Sequence, residues 1–394
     1  MLIILLLTAG AVLGWLYCVC RLTSRISETN DEYSTLVPSG FVFVLLAPLV
    51  WVWLAWMGYP YSHNWLMPDW HALWTEHRRV LVLLGIGLVV LAAESGRRLV
   101  RRLRRVRMIA GRVSPVTEQV RNHADLFRTL PGITGWLYQC AGYIPGNCIS
   151  DVHIRHFALN IPRLPDGLNG LRILHITDLH YNGIRNHAYC KRLVEYAREL
   201  KPDLVALTGD FHDSSDYISG LKKVIAGIEA HYGVYFVCGN HEYWDKPDLC
   251  IKALSDCGFK HLHGSILPVQ IGDAILWLAG TDYPWGDQSL KPKLRQLPDE
   301  AVCIALSHDP DNADWLARLG VKLILSGHTH GGQIALPLFG PLVVPSRKGS
   351  ARAAGFIPCG ESLLYVSRGA GLHIPLRLGC PLEMTVFELR ASGN

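Results

Sequence analysis

Leu323-Ile324-Leu325-Ser326-Gly327-His328-Thr329-His330-Gly331-Gly332-Gln333 sets a short apolar run directly against a glycine and two histidines. The first four residues read as a buried strand. The glycine after them allows a tight turn in which backbone and side chain approach closely. The same arrangement recurs upstream. Val302–Ser307 reads as a strand leading to Ser307-His308-Asp309, with a helix near Ala313–Leu319 between the two strands. Val234–Cys238 leads to Gly239-Asn240-His241-Glu242, Leu204–Thr208 to Gly209-Asp210-x-x-Asp213, and Leu171–Thr177 to Asp178-x-His180. Helical stretches alternate with these strands. His187–Leu200 carries Leu193, Tyr196, Ala197 and Leu200 on one face, and Ile218–Glu229 and Leu249–Cys257 follow. Short β-rich runs alternating with amphipathic helices predict a layered α/β fold.

In open α/β sheets the functional crevice lies beyond the carboxyl ends of the strands. The steps from Asp178 to Asp210 and from Asp210 to Asn240 are each about one βαβ unit long. Residues far apart in sequence therefore converge. Taken singly, each block reads as capping or turn residues at a strand end. Five blocks in order at five strand ends read as a site. What converges is carboxylates, an asparagine and several imidazoles, a donor set for Mn, Fe or Zn. A structural zinc site would call for cysteine. Seven ligand-type residues exceed the needs of one ion. They suit two ions sharing a carboxylate, ~3.5–4 Å apart.

Around this region the chain changes character. It has 394 residues, 49% of them apolar and 18% charged, which excludes a disordered chain. Residues 1–150 hold 14 Lys and Arg against 8 Asp and Glu, a net +6; residues 151–394 hold 24 against 25, a net −1. A broad nucleic-acid surface on the second part is not implied. Met1–Cys20 and Leu36–Met57 are apolar runs of about the length that crosses a ~30 Å hydrocarbon layer. No basic segment precedes Leu2, as a signal peptide would require. Trp51, Trp53, Trp56 and Tyr59 form an aromatic belt at one end of the second run.

A third run, Val80–Ala93, is shorter. It is flanked by Arg78 and Arg79 and by Arg97, Arg98, Arg101, Arg102, Arg104, Arg105 and Arg107, whose long side chains can snorkel and stretch a span. The expected organisation is a transmembrane region over 1–107 with about three spans, a Pro- and Gly-punctuated connector over 108–150, and a catalytic domain over 151–394. Arginine on the domain side of the third span places that domain in the cytoplasm. The Arg run is either a topology anchor or a site for anionic lipid head groups; without interleaved aromatics it is no nucleic-acid site. Eleven scattered cysteines with no Cys-x-x-Cys pair fit a reducing compartment.

The five blocks resemble the calcineurin-like metallophosphoesterase superfamily over about Val152–Leu389. The block from Gly327 to Gln333, with the tail Leu364-Tyr365-Val366-Ser367-Arg368-Gly369 and Pro375-Leu376-Arg377, is similar to a bacterial membrane-associated phosphodiesterase branch. That branch includes UDP-2,3-diacylglucosamine hydrolase-type enzymes. The resemblance implies an α/β metallophosphoesterase-type sandwich with helices outside, here preceded by an all-α transmembrane region. It implies two divalent transition-metal ions, manganese first, with iron or zinc as alternatives. Asp178, His180 and His330 would hold one ion and Asn240, His308 and His328 the other, with Asp210 bridging and a bridging hydroxide attacking phosphorus.

His241 would be catalytic, protonating the leaving oxygen or stabilising phosphoryl charge. Asp213 and Asp309 would orient histidine ligands or face solvent in turns, and His212 has no assigned role. Arg368 and Arg377 would pair with substrate phosphate or form structural salt bridges. Leu290, Leu294 and Leu297, with Lys291, Lys293 and Arg295 between them, form either a basic amphipathic flap over the site or a surface helix with one buried face. The implied function is hydrolysis of a phosphodiester or pyrophosphate, on a lipid-linked or nucleotide-sugar-lipid substrate, by a multi-pass protein of the cytoplasmic membrane. The alternatives are a protein phosphatase and a non-catalytic metal-binding membrane scaffold or sensor.

Overall fold

The computed structural model describes residues 95–391, apart from 129, 131, 184–185, 284–288, 337–339, 342 and 373, together with residues 89, 92 and 93. The first two apolar runs lie outside the described residues, as does the third apart from those last three positions. Among the described residues no helix is long and apolar enough to cross a membrane. The chain divides into two units, Met1–Arg104 and Arg105–Asn394. In the first, the described part is helical.

In the second unit, β1 (Val113–Asn122) leads through α1 (Ala124–Arg128) and α2 (Gly132–Gly142) to β2 (Asp151–Ile161) and β3 (Arg172–Ile176). Then come α3 (His187–Glu199), β4 (Leu204–Thr208), α4 (Ile218–Ile225), β5 (Val234–Val237), α5 (Asn240–Trp244), α6 (Pro247–Ser255) and β6 (Lys260–His261). With β15 (Leu382–Ala391) these strands form one sheet in the order β1-β2-β15-β3-β4-β5-β6. The second sheet runs β13-β14-β10-β9-β8-β7. It comprises β7 (Ser265–Ile271), β8 (Ala274–Thr281), β9 (Val302–Ser307), β10 (Leu323–Ser326), β13 (Gly355–Cys359) and β14 (Ser362–Val366), with α7 (Leu290–Leu294) and α8 (Ala313–Arg318) between strands. A small hairpin pairs β11 (Ala335–Leu336) with β12 (Gly340–Pro341).

The layers follow from alternation along each strand. Successive side chains point to opposite faces, so Ile173, Leu204, Ala206 and Val237 face the second sheet and pack with Leu276, Ile304, Leu306 and Leu323. Their neighbours Leu174, Val205, Leu207 and Phe236 face outward onto Leu193, Leu221, Val224 and Leu254 of α3, α4 and α6. Ala305 and Ile324 meet Leu290, Leu294, Ala313 and Leu316 of α7 and α8. The result is helix, sheet, sheet, helix. Within each of the sets β3–β5 and β8–β10 the strands run parallel to one another and are covered on both faces, as parallel sheets require.

The strand and helix expectations from Leu171 to Ser326 correspond to observed elements within a few residues. Two further features depart from expectation, and a third decides between two readings. The stretch expected as a connector contains β1, which pairs antiparallel with β2 from Val113↔Leu159 to Asn122↔Asp151. The folded unit therefore begins upstream of Asp151, because β1 supplies the backbone partners that would otherwise leave β2 as an edge. Arg105, from the Arg run, donates to the carbonyls of Ala351 and Ala354 at 2.6 and 3.2 Å; that arginine is engaged by its own domain. The segment read either as a basic flap or as a surface helix is α7: Leu290 and Leu294 are buried, Lys293 donates to Gly264 O, and Lys291 lies over the Trp315 ring. It packs as a helix with one buried face. Among the described residues nine cysteines are free, five of them buried, and Cys140 on α2 is exposed.

Candidate dimetal centre

The turns after β3, β4, β5, β9 and β10 open at one end of the two sheets. Asp178 and His180 follow β3, Asp210 follows β4, and Asn240 starts α5 after β5. His308 follows β9, and His328 and His330 follow β10. All seven residues are drawn together. Ligand atoms of Asp178, His180, Asp210 and His330 lie within 4.8 Å of one another, and so do those of Asp210, His308 and His328. Asp210 belongs to both clusters. Its Oδ2 is 3.7 Å from His180 Nε2 and 3.3 Å from His308 Nε2. Asn240 Oδ1 stands 3.1 Å from His308 Nε2 and 2.8 Å from His328 Nδ1. His330 Nε2 is 3.4 Å from Asp178 Oδ1 and 3.1 Å from His180 Nε2.

The turns are built tightly. Asp178, His180, Asp210, His328 and His330 all have positive φ, between 46° and 71°. Asp and His tolerate this region better than most residues, but it remains uncommon, and it clusters where a site over-determines the backbone. A Cβ on Gly239 would collide with Asp210, and one on Gly327 with Thr177 and Asp178. Only glycine lets these loops come so close.

Several hydrogen bonds set which ring nitrogen faces inward. His180 Nδ1 lies 2.8 Å from Asp213 Oδ1, and His308 Nδ1 lies 2.6 Å from the Thr208 carbonyl. Each contact holds the proton on Nδ1 and turns Nε2 toward the clusters. Asp213 thus orients a histidine as expected. Asp309 does not: its carboxylate accepts from Asp311 N and caps a turn. His241 stacks edge-on against His180 at 4.6 Å, its ring 5.0 Å from the exposed Trp244. The Tyr283 ring sits 5.6 Å from that of His328. His212 is buried, and neither ring nitrogen has a hydrogen-bond partner among the described residues.

Of the two readings for Arg368 and Arg377, their partners favour the structural one. Arg368 donates to buried Glu383 at 2.6 Å, which also receives Arg155 at 3.1 Å and Tyr365 Oη at 3.0 Å. Arg377 is fully buried; it donates to the carbonyls of Arg368, Gly371 and Cys380 and lies 3.2 Å from His330 Nδ1. Reading the sequence alone also misses Glu242. This buried carboxylate accepts from the backbone N–H groups of Asp210, Phe211, His212 and Gly239, tying two ligand loops together. Its position three residues after Gly239 was the available signal, since a glutamate there closes a capping box.

The charge balance fits cations. The polar contacts to Asp178 and Asp210 come from imidazoles, Thr177 and backbone amides. Burial, with the Asp210 charge adding to it, pushes Asp178 up to about 7. Burial opposes ionisation of Asp210 too, but His308 and the other imidazoles hold its carboxyl well below the usual range. Burial lowers His328 to about 3, helped by His308, so its imidazole is neutral and able to ligate. Burial works against a charge on His308, but Asp210 and Asp178 outweigh it and raise that imidazole to about 10. Two buried carboxylates facing imidazoles, one of them holding a proton that a cation would displace, form a donor set suited to divalent metal.

A fold of two mixed sheets between helices, with these seven residues at the strand ends, defines a class of metal-dependent phosphoester hydrolases. The chain belongs to the calcineurin-like phosphoesterase family, whose model matches residues 171–332. It is a metal-dependent hydrolase acting on phosphoester bonds, and its family binds two divalent metal ions. It is 31% identical over 232 residues to the phosphodiesterase YaeI of Escherichia coli (strain K12), covering 57% of this chain and 84% of that protein. It is 30% identical over 250 residues to a transmembrane protein with metallophosphoesterase domain from Danio rerio, 58% of this chain but only 55% of that one. It is 24% identical over 285 residues to the UDP-2,3-diacylglucosamine pyrophosphatase LpxG of Chlamydia muridarum, 58% of this chain and 86% of that one.

Proposed function

We propose that the chain is a membrane-anchored dinuclear-metal phosphoesterase that cleaves a phosphodiester or pyrophosphate in a lipid-linked or nucleotide-sugar-lipid substrate. The observation carrying the dinuclear reading is Asp210, whose carboxylate both ligand clusters share. In this reading Asp178, His180 and His330 hold one ion, Asn240, His308 and His328 the other, and Asp210 bridges. Manganese is the metal proposed, and iron and zinc also suit the donors. Held by these residues, such ions would lower the pKa of water and neutralise phosphoryl charge.

The chain's own residues do the rest. Asp213 and the Thr208 carbonyl keep His180 and His308 in the ligating tautomer. Glu242 fixes the Asp210 loop to the Asn240 loop. His241, whose backbone N–H donates to Asp210 Oδ1 at 3.0 Å and whose ring stays partly open, delivers a proton to the leaving oxygen.

Membrane attachment rests on the apolar runs Met1–Cys20 and Leu36–Met57 and on the name borne by the zebrafish relative. The cytoplasmic side is assigned from the arginines between Arg97 and Arg107. The lipid-linked substrate is supported by the name of the chlamydial relative. The test is elemental analysis of the purified full chain together with hydrolysis of bis(4-nitrophenyl) phosphate. About two transition-metal ions per chain are expected, and Asp210→Ala should remove activity and most of the metal together. One ion or none after manganese loading, with no hydrolysis, overturns the reading.

A further inference from the structure

The helix α2 and the turn after it expose large apolar side chains. Trp136 is 61% exposed, Leu137 45%, Tyr143 88% and Ile144 42%. The opposite face of α2 is already satisfied, with Tyr138 buried against Phe127 at 5.2 Å. The exposed set is therefore not a core face awaiting its own helix. No charged residue occurs from Pro131 to Ser150. A second strip joins it. Asn147 Nδ2 bridges the Ala141 and Pro375 carbonyls at 2.8 and 3.1 Å, and Tyr138 Oη reaches Leu372 O at 3.4 Å. Between Leu372 and Pro375 lies Ile374, 47% exposed.

This apolar rim runs into the metal centre. Cys148 N donates to Arg377 O at 2.8 Å, and Arg377 lies beside His330. Gly371 N donates to Asp178 O at 2.8 Å. The rim and the ligand loops are one hydrogen-bonded piece of backbone.

We propose that this rim, α2 with the turn to Ile144 and the neighbouring Ile374, seats in the interfacial layer of a lipid bilayer beside the dimetal centre. Scattered apolar side chains need no explanation, but a grouped patch marks an interaction surface. A bilayer is the occupant because tryptophan and tyrosine prefer the head-group boundary, and an uncharged stretch of this length enters it without stranding an ion. The apolar runs of residues 1–57, proposed above as the membrane attachment, give the same chain a reason to lie at a bilayer. The inference rests on the lipid-linked substrate proposed above. It adds that the substrate is taken from the membrane plane, its apolar part staying in lipid while its phosphorus reaches the centre.

The test uses the full chain, carrying Cys18→Ser and Cys20→Ser and labelled with bimane at the exposed Cys140, in vesicles of phosphatidylcholine and phosphatidylglycerol. Lipids brominated in the acyl chain should quench the label. The double substitution Trp136→Ser and Tyr143→Ser should reduce quenching and slow hydrolysis of a vesicle-embedded phosphodiester lipid by about tenfold or more. Hydrolysis of soluble bis(4-nitrophenyl) phosphate is the reference and should stay within about twofold. A label that brominated lipid leaves unquenched overturns the inference. So does one shielded from aqueous iodide yet blind to bromine, because a second copy or residues 1–88 would then cover the rim. Absence of hydrolysis on both substrates by the metal-loaded chain strikes the phosphoesterase reading instead, and the quenching result stands apart from it.

Discussion

His241 shares a turn with a ligand candidate but is not itself in either ligand cluster around Asp210. Its replacement by alanine should leave bound metal unchanged and slow turnover by ~10²–10⁴ on substrates with poor leaving groups. With a nitrophenolate, which departs without a proton, the loss should be small; paired rate and metal measurements check this, and equal losses would assign His241 to charge stabilisation. The seven ligand candidates were legible in the sequence because each follows a β-rich run and because imidazole with carboxylate is uncommon turn chemistry. Glu242 was not legible as a clamp. Its work is done on four backbone amides, and side-chain spacing does not reveal which backbone groups will be left without partners. For Arg368 and Arg377 the sequence left phosphate pairing and a structural role open for a related reason: it displays a cation but not the partners that take it up in the fold.

The elements that carry the centre are short strands ending in glycine turns. Gly327→Ala would push a methyl group into Thr177 and Asp178. The expected result is loss of metal and a destabilisation of ~1–3 kcal/mol or more, read by thermal melting with and without manganese. β15 is held at its start by Glu383, which pairs with Arg155 of β2 and with Arg368. Burial works against the Glu383 charge, but the two arginines dominate and bring it down to about 2. Because its pKa falls on folding, the group's stabilisation is present above about pH 4.5 and is lost as pH drops through about 2. Glu383→Gln should cost ~1–3 kcal/mol at neutral pH by leaving two part-buried arginines without their carboxylate, and flatten the acid limb of stability; melts between those pH values check it. β9 and β10 were legible from apolar runs alone. β7, β8, β13 and β14 were not, since hairpins and long-range pairs leave only local alternation to read, and the two-sheet sandwich entered through the resemblance.

On the scale of the molecule, the centre is a seam. Asp178, Asp210 and Asn240 hang from the first sheet, and His308, His328 and His330 from the second. Ions bound there join the sheets and stabilise only the folded state. Chelation of the loaded protein should lower its melting temperature, and readdition at ~100 times the dissociation constant should restore ~2.7 kcal/mol, measured by melting at graded manganese. Five ligand loops were legible locally, but their meeting across two sheets was not, because that depends on strand order. The order has one more effect. β15 lies between β2 and β3, pairing parallel with one and antiparallel with the other. While a ribosome is still making the second sheet, the first has a gap at its middle, flanked by two strands that have met no neighbour on that side. Residues 382–391 must emerge before the gap closes, so every loop that bears a ligand is translated before the scaffold that steadies Asp178 is whole. Nascent chains would therefore depend on chaperone cover for that unpaired slot until β15 emerges.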